Sequence, residues 1–188
     1  MPRALLKLAV LLLLPAFALG GCAAKRPPST PSISSEAPYV LGSGDRLRIT
    51  VFDQPNLSAS YSVDASGVIT MPLIGPVEAM GRTTYDLERV IEARLAKDYL
   101  RNPNVSVEIE AYRPFFIFGE VTLAGQYPYV AGMTAEQAVA IAGGYTPRAR
   151  QGEVELSRRD ARGVVRVMVP MTTLIRPGDT LFVKERWF

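Results

Sequence analysis

From Arg46 to Phe52 the apolar residues Leu47, Ile49 and Val51 alternate with Arg46, Arg48 and Thr50. A period of two predicts a strand with one face buried and the other in water, launched here by the turn signal Gly44-Asp45. Tyr61 to Val63 and Val68 to Met71 flank Ala65-Ser66-Gly67 and are expected to form a hairpin, followed by a broken edge strand over Pro72 to Val77. The period then changes. Leu87, Val90, Ile91 and Leu95 mark the buried stripe of a helix, with Glu88, Arg89, Glu92 and Arg94 on its solvated side. Thr83 with Asp86 supplies a capping box at its start, the acid being one carbon shorter than the preferred Glu. Beyond Asn102-Pro103-Asn104, the alternation of Val105, Val107 and Ile109 with Ser106, Glu108 and Glu110 returns the chain to strand.

The second half repeats this grammar. Strands over Phe115 to Val121 and Tyr127 to Val130 bracket Leu123-Ala124-Gly125-Gln126, and Thr134 with Gln137 caps a helix that runs to Ile141 and stops at Gly143-Gly144. Ala138 and Ile141 are expected to pack that helix on its own sheet. Strands over Val154 to Ser157 and Val164 to Val169 enclose the basic run Arg158-Arg159-Asp160-Ala161-Arg162, read as a solvated hairpin loop. Arg176-Pro177-Gly178-Asp179 suits a type II turn that feeds a last strand, Thr180 to Lys184. Gly81-Arg82-Thr83 and Gly132-Met133-Thr134 stand 51 residues apart in matching places. The expected fold is α+β, with two small mixed domains over residues 39–112 and 113–188.

Ahead of the folded part, Arg3 and Lys7 precede the apolar run Leu8 to Leu14, and Leu19-Gly20-Gly21-Cys22 resembles the lipobox of bacterial lipoproteins. Residues 1–21 therefore read as a signal peptide cleaved between Gly21 and Cys22, with lipid added to the Cys22 thiol. The leader is too short and too interrupted to span a bilayer, which takes about 20 apolar residues. Residues 22–38, rich in Pro and Ser, read as a lipidated N-terminus and flexible tether. Ala23, rather than Asp, after the cysteine resembles an outer-membrane address.

Cleavage alters the charge. Loss of Arg3 and Lys7 takes Lys+Arg from 21 to 19 against 18 acidic residues, so the net charge falls from +3 to +1. A nucleic-acid partner would need a clustered basic face, and none is expected. Cys22 is the only cysteine and there is no histidine, which excludes histidine-based triads, Cys-His pairs and imidazole metal sites. Asp45 and Asp179 each follow a Gly at the start of a strand, where a turn-closing hydrogen bond accounts for them. Glu120 is read as a salt-bridge or inter-subunit residue. No catalytic, metal or cofactor site is expected, the only bound group being the covalent lipid on Cys22.

Taken in order, Tyr39-Val-Leu-Gly-Ser-Gly-Asp45, Arg48-Ile-Thr-Val-Phe52, Val63-Asp-Ala-Ser-Gly67 and Met71-Pro-Leu-Ile-Gly75 resemble the polysaccharide export sequence domain. Phe118-Gly-Glu-Val121, Gly125-Gln-Tyr-Pro128, Ala142-Gly-Gly-Tyr-Thr146 and Pro177-Gly-Asp-Thr-Leu-Phe-Val183 are similar to the soluble-ligand-binding β-grasp (SLBB) domain. The pair behind a lipobox resembles the outer-membrane polysaccharide export lipoproteins, in a short form with one SLBB domain.

That resemblance implies a lipid-anchored component of a capsule or exopolysaccharide export conduit, held at the outer membrane and facing the periplasm. It also implies a homo-oligomeric ring that handles polysaccharide and meets an inner-membrane chain-length regulator with its tyrosine kinase, or an equivalent export complex. Larger members of the family carry further β-grasp repeats and a C-terminal helix that helps build the pore. Here four residues follow Lys184, so a separate outer-membrane β-barrel partner is expected. The other reading is a lipid-anchored glycan or soluble-ligand binding module without export activity. An integral barrel is disfavoured, since the alternate positions Arg186, Lys184 and Phe182 do not give a lipid-facing apolar row.

Overall fold

The computed structural model describes residues 38–160 and 163–187. Its architecture is α+β, with two lobes that each have a core of their own. In the first lobe, β1 (Arg46–Val51) lies between β2 (Ala59–Ser62) and β5 (Val105–Ala111), antiparallel to both. β3 (Val68–Met71) and β4 (Gly75–Glu78) form a separate two-stranded sheet. Helix α1 (Thr84–Asp98) buries Leu87, Ile91 and Leu95 in the core that also holds Leu47, Ile49 and Val51 of β1. Its capping box is formed: the Asp86 N–H donates to the Thr83 Oγ1 at 3.1 Å, and the Asp86 carboxylate accepts from the Thr83 N–H at 3.3 Å.

The expected hairpin between Tyr61–Val63 and Val68–Met71 is replaced by a crossing between sheets. The Asp64 carboxylate accepts from the Ser66 N–H at 2.8 Å, the Ser66 hydroxyl at 2.6 Å and the Val68 N–H at 3.0 Å, closing a tight turn. Before that turn β2 runs along β1, and after it β3 pairs with β4, so the two strands share a turn and no ladder. The broken strand expected over Pro72–Val77 is likewise a turn as far as Ile74, with Leu73 at φ 69°, and pairing begins only at Gly75.

Glu88 and Glu92 are more than a solvated face. Their carboxylates accept the Val107 and Val105 N–H groups at 2.8 and 3.1 Å, the donors that β5 turns away from β1. Carboxylates on an edge strand satisfy its free N–H groups and prevent a further strand from adding there.

In the second lobe β6 (Phe115–Gly119), β7 (Gly125–Tyr127), β8 (Glu153–Asp160), β9 (Gly163–Pro170) and β10 (Thr180–Val183) form one sheet in the order β7-β6-β10-β8-β9. Only β6 and β10 are parallel. Helix α2 (Ala135–Ile141) covers one face, starting from the capping box that Thr134 and Gln137 form. It buries Ala135, Ala138 and Val139, with Ala142 just beyond its end. Ile141, expected in the core, is 46% exposed. Positions 135, 138, 139 and 142 make one stripe of a helix, and position 141 falls about 110° from the centre of that stripe.

Candidate functional site at the junction of the two lobes

Two carboxylates are fully removed from water, Asp45 just ahead of β1 and Asp179 just ahead of β10. Both close turns. The Gly42 N–H donates to Asp45 Oδ2 at 2.8 Å, and the Arg176 N–H donates to Asp179 Oδ2 at 2.6 Å. Gly178 takes φ 84°, the conformation a type II turn requires at that place. The turn-closing reading of both residues therefore holds.

Sequence reasoning missed that each carboxylate also has an arginine. Arg158 approaches Asp179 with both arms of its guanidinium, Nε to Oδ1 at 2.9 Å and Nη2 to Oδ2 at 2.7 Å. It belongs to β8, not to a solvated loop, because a buried anion across the sheet draws its side chain inward. The hydrogen bond to Asp179 raises the Arg158 pKa above its ordinary value. Arg159 is exposed, while Ala161 and Arg162 lie outside the described residues.

Arg113 makes the wider set of contacts. Its N–H donates to Asp45 Oδ1 at 2.9 Å and its Nη1 to Oδ2 at 3.1 Å, while Nε donates to the Pro177 carbonyl at 3.2 Å. One side chain thus ties the turn that starts β1 to the turn that starts β10. The Tyr39 hydroxyl donates to Asp45 Oδ2 at 2.7 Å and accepts from Arg113 Nη1 at 2.9 Å. Burial, followed by this bond to Asp45, pushes the phenol pKa far above its ordinary value and keeps Tyr39 protonated. Gly42 leaves room for the guanidinium, since a Cβ there would stand 2.3 Å from Arg113 Nη1. Tyr39, Tyr112 and Tyr129 continue the junction as edge-to-face pairs, with centroids 5.0 and 5.4 Å apart.

This geometry holds two turns in register. Asp45 accepts from Gly42, Tyr39 and Arg113, and Asp179 from Arg176 and Arg158, so both carboxylates are engaged in bonds that hold their turns. Glu120 accepts from the Thr146 hydroxyl within the same lobe. Among the described residues no group of three His, Cys, Asp or Glu is placed to hold a metal ion, and no helix is long and apolar enough to cross a membrane. Gly21 and Cys22, the expected cleavage and lipidation positions, lie outside the described residues. A buried acid at a Gly-Asp turn needs a cation, but no local signal picks out Arg113, which stands 68 residues from Asp45 where the two lobes meet.

Residues 34–110 match the family described as polysaccharide biosynthesis/export protein, and residues 114–169 match the SLBB domain. The chain is 34% identical over 125 residues to the exopolysaccharide production protein ExoF of Rhizobium meliloti (strain 1021), a match covering 60% of this chain and 30% of that protein. It is 26% identical over 190 residues to the EPS I polysaccharide export outer membrane protein EpsA of Ralstonia nicotianae, covering 83% of this chain and 50% of that one. The polysialic acid transport protein KpsD of Escherichia coli is 25% identical over 111 residues, which is 58% of this chain and 20% of that protein. The chain thus spans half or less of the length of each of these relatives.

Proposed function

Since the chain belongs to the polysaccharide biosynthesis/export family and carries one SLBB domain behind its export domain, we propose that it is a non-catalytic component of a capsule or exopolysaccharide export conduit. The order of the two domains carries this reading, and relatives named for export at the outer membrane and for polysialic acid transport support it. In this role the protein is anchored to the outer membrane by lipid on Cys22, faces the periplasm, and assembles as a ring of copies around the polymer's route. Further partners are an inner-membrane chain-length regulator with its kinase, or an equivalent complex. The Arg113 junction suits such a part, since a ring wall must hold the angle between its two lobes while polymer passes.

Deletion from the native host tests the reading. Surface polysaccharide should disappear while polymer accumulates behind the outer membrane, and the parent gene should restore export. Undiminished surface polymer would contradict it. Lipid chains contribute about 0.8 kcal/mol per buried methylene, and two or more give stable anchoring. Cys22→Ser should therefore move the protein out of the outer-membrane fraction, and fractionation like the parent's would refute the anchor.

A further inference from the structure

The SLBB sheet is covered by α2 on one face only, and its other face carries an aromatic strip. Phe116 and Phe118 point outward from β6 and are 42% and 45% exposed. Phe182 of the adjoining β10 adds a third ring, its centroid 4.9 Å from that of Phe118. Gln126, Thr180 and the Lys184–Glu155 ion pair at 2.8 Å border the strip. An apolar patch rimmed by polar groups marks an interaction surface.

The opposite layer of the same lobe carries a hollow. Val130, Met133, Ala140 and Ile141 line a concavity of about 430 Å³ between the outward side of α2 and the loop before it, where Gly132 and Ala140 supply little bulk. Gln137 is its one hydrogen-bonding side chain. A hydroxyl-rich ligand would leave most of its polar groups without partners there, which is unfavourable, whereas phenyl rings need none. The charges agree as well. Among the described residues of the sheet face, Glu155 is paired with Lys184 and Glu153 with Arg150, and Arg159 and Arg166 add two more cations, Arg166 within electrostatic reach of Glu155, while Glu136 stands exposed on α2.

Strip and hollow lie on opposite layers, so one copy cannot join its own pair. We propose that the Phe116, Phe118 and Phe182 strip of one copy seats in the Val130–Ile141 hollow of the next, with Arg166 and Arg159 facing Glu136. Each copy then offers one donor and one acceptor surface. Such a heterologous contact repeats head to tail and closes into a ring when its rotation permits. This inference rests on the ring reading above and names the surfaces that build it.

The mature full-length chain, purified in mild detergent and sized by sedimentation, tests the contact. Aromatic anchors at an interface commonly contribute 2 kcal/mol or more, which corresponds to at least about a 30-fold weaker contact on removal. The parent should be oligomeric, and Phe118→Asp and Ile141→Asp should each be monomeric at the same concentration. An equimolar mixture of the two variants should form a dimer and nothing larger, because one intact strip and one intact hollow remain between them. Phe116→Asp and Ala140→Arg replace either variant that loses its cooperative melt. A monomeric parent, variants that assemble like the parent, or a mixture that stays monomeric would each overturn the proposal. Sizing requires no polymer, and surface polysaccharide in the deletion strain is scored whatever the contact, so failure of this interface and failure of the export reading are separate results.

Discussion

Buried Asp179 is met by both arms of Arg158, and the Arg176 N–H adds a third donor. Removing one member of a buried pair strands the other, which commonly costs 3–5 kcal/mol. With the Arg158 side chain 27% exposed, water can partly replace it, and the lower end applies. Arg158→Ala is therefore expected to lower stability by about 3 kcal/mol in a denaturant melt, and Arg158→Lys, which keeps the charge and loses the two-armed geometry, by less. Both buried aspartates were legible as turn residues, because the Gly-Asp signal is local. Their arginines were not, because Arg113 is 68 residues from Asp45 and Arg158 is 21 from Asp179, and nothing in a linear pattern ranks one arginine above another.

Capping boxes were legible at the scale of the element for the same reason, since Thr83 with Asp86 and Thr134 with Gln137 are complete within four residues. Hydrogen bonds from the Thr83 hydroxyl and then its N–H hold the Asp86 pKa below its unfolded value of 3.8. A lowered folded pKa means that the stabilisation is complete above about pH 4 and is lost as acidification passes the lower folded value. Asp86→Asn should therefore melt below the parent at neutral pH, and the gap should narrow as pH falls toward 3. A gap independent of pH would assign the loss to something other than the charge.

Helix faces were harder. In α2 the pair Ala138 and Ile141 has proper helical spacing, and only the position of the sheet chooses the Ala135, Ala138, Val139 and Ala142 stripe instead. The Ile141→Asp monomer should accordingly stay within about 0.5 kcal/mol of the parent monomer, as exposed substitutions usually do. The same dependence hid the function of Glu88 and Glu92: α1's polar side was evident, whereas the β5 edge it caps is made by residues from a different part of the chain.

Across the whole molecule, alternation over β1 and β5 and the stripe of α1 were enough for an α+β fold, since each is periodic over several residues. The pairing was less legible. β2 and β3 flank a turn that any sequence reading would close as a hairpin, yet β3 finds its partner in β4 and β2 in β1. Arg113, which ties Asp45 to the Pro177 carbonyl, belongs wholly to this scale. Its bonds join the turn that starts β1 to the turn that starts β10, a link that suits the conduit role proposed above.

That conduit function is tested most directly by pulse-labelling polysaccharide in the native host during acute depletion of this protein and measuring how labelled polymer divides between the cell surface and the periplasm. The account predicts that total synthesis continues at first, the surface share falls as the protein disappears, and the periplasmic share rises to match. An unchanged division between the two compartments, whether or not total synthesis declines, would contradict it.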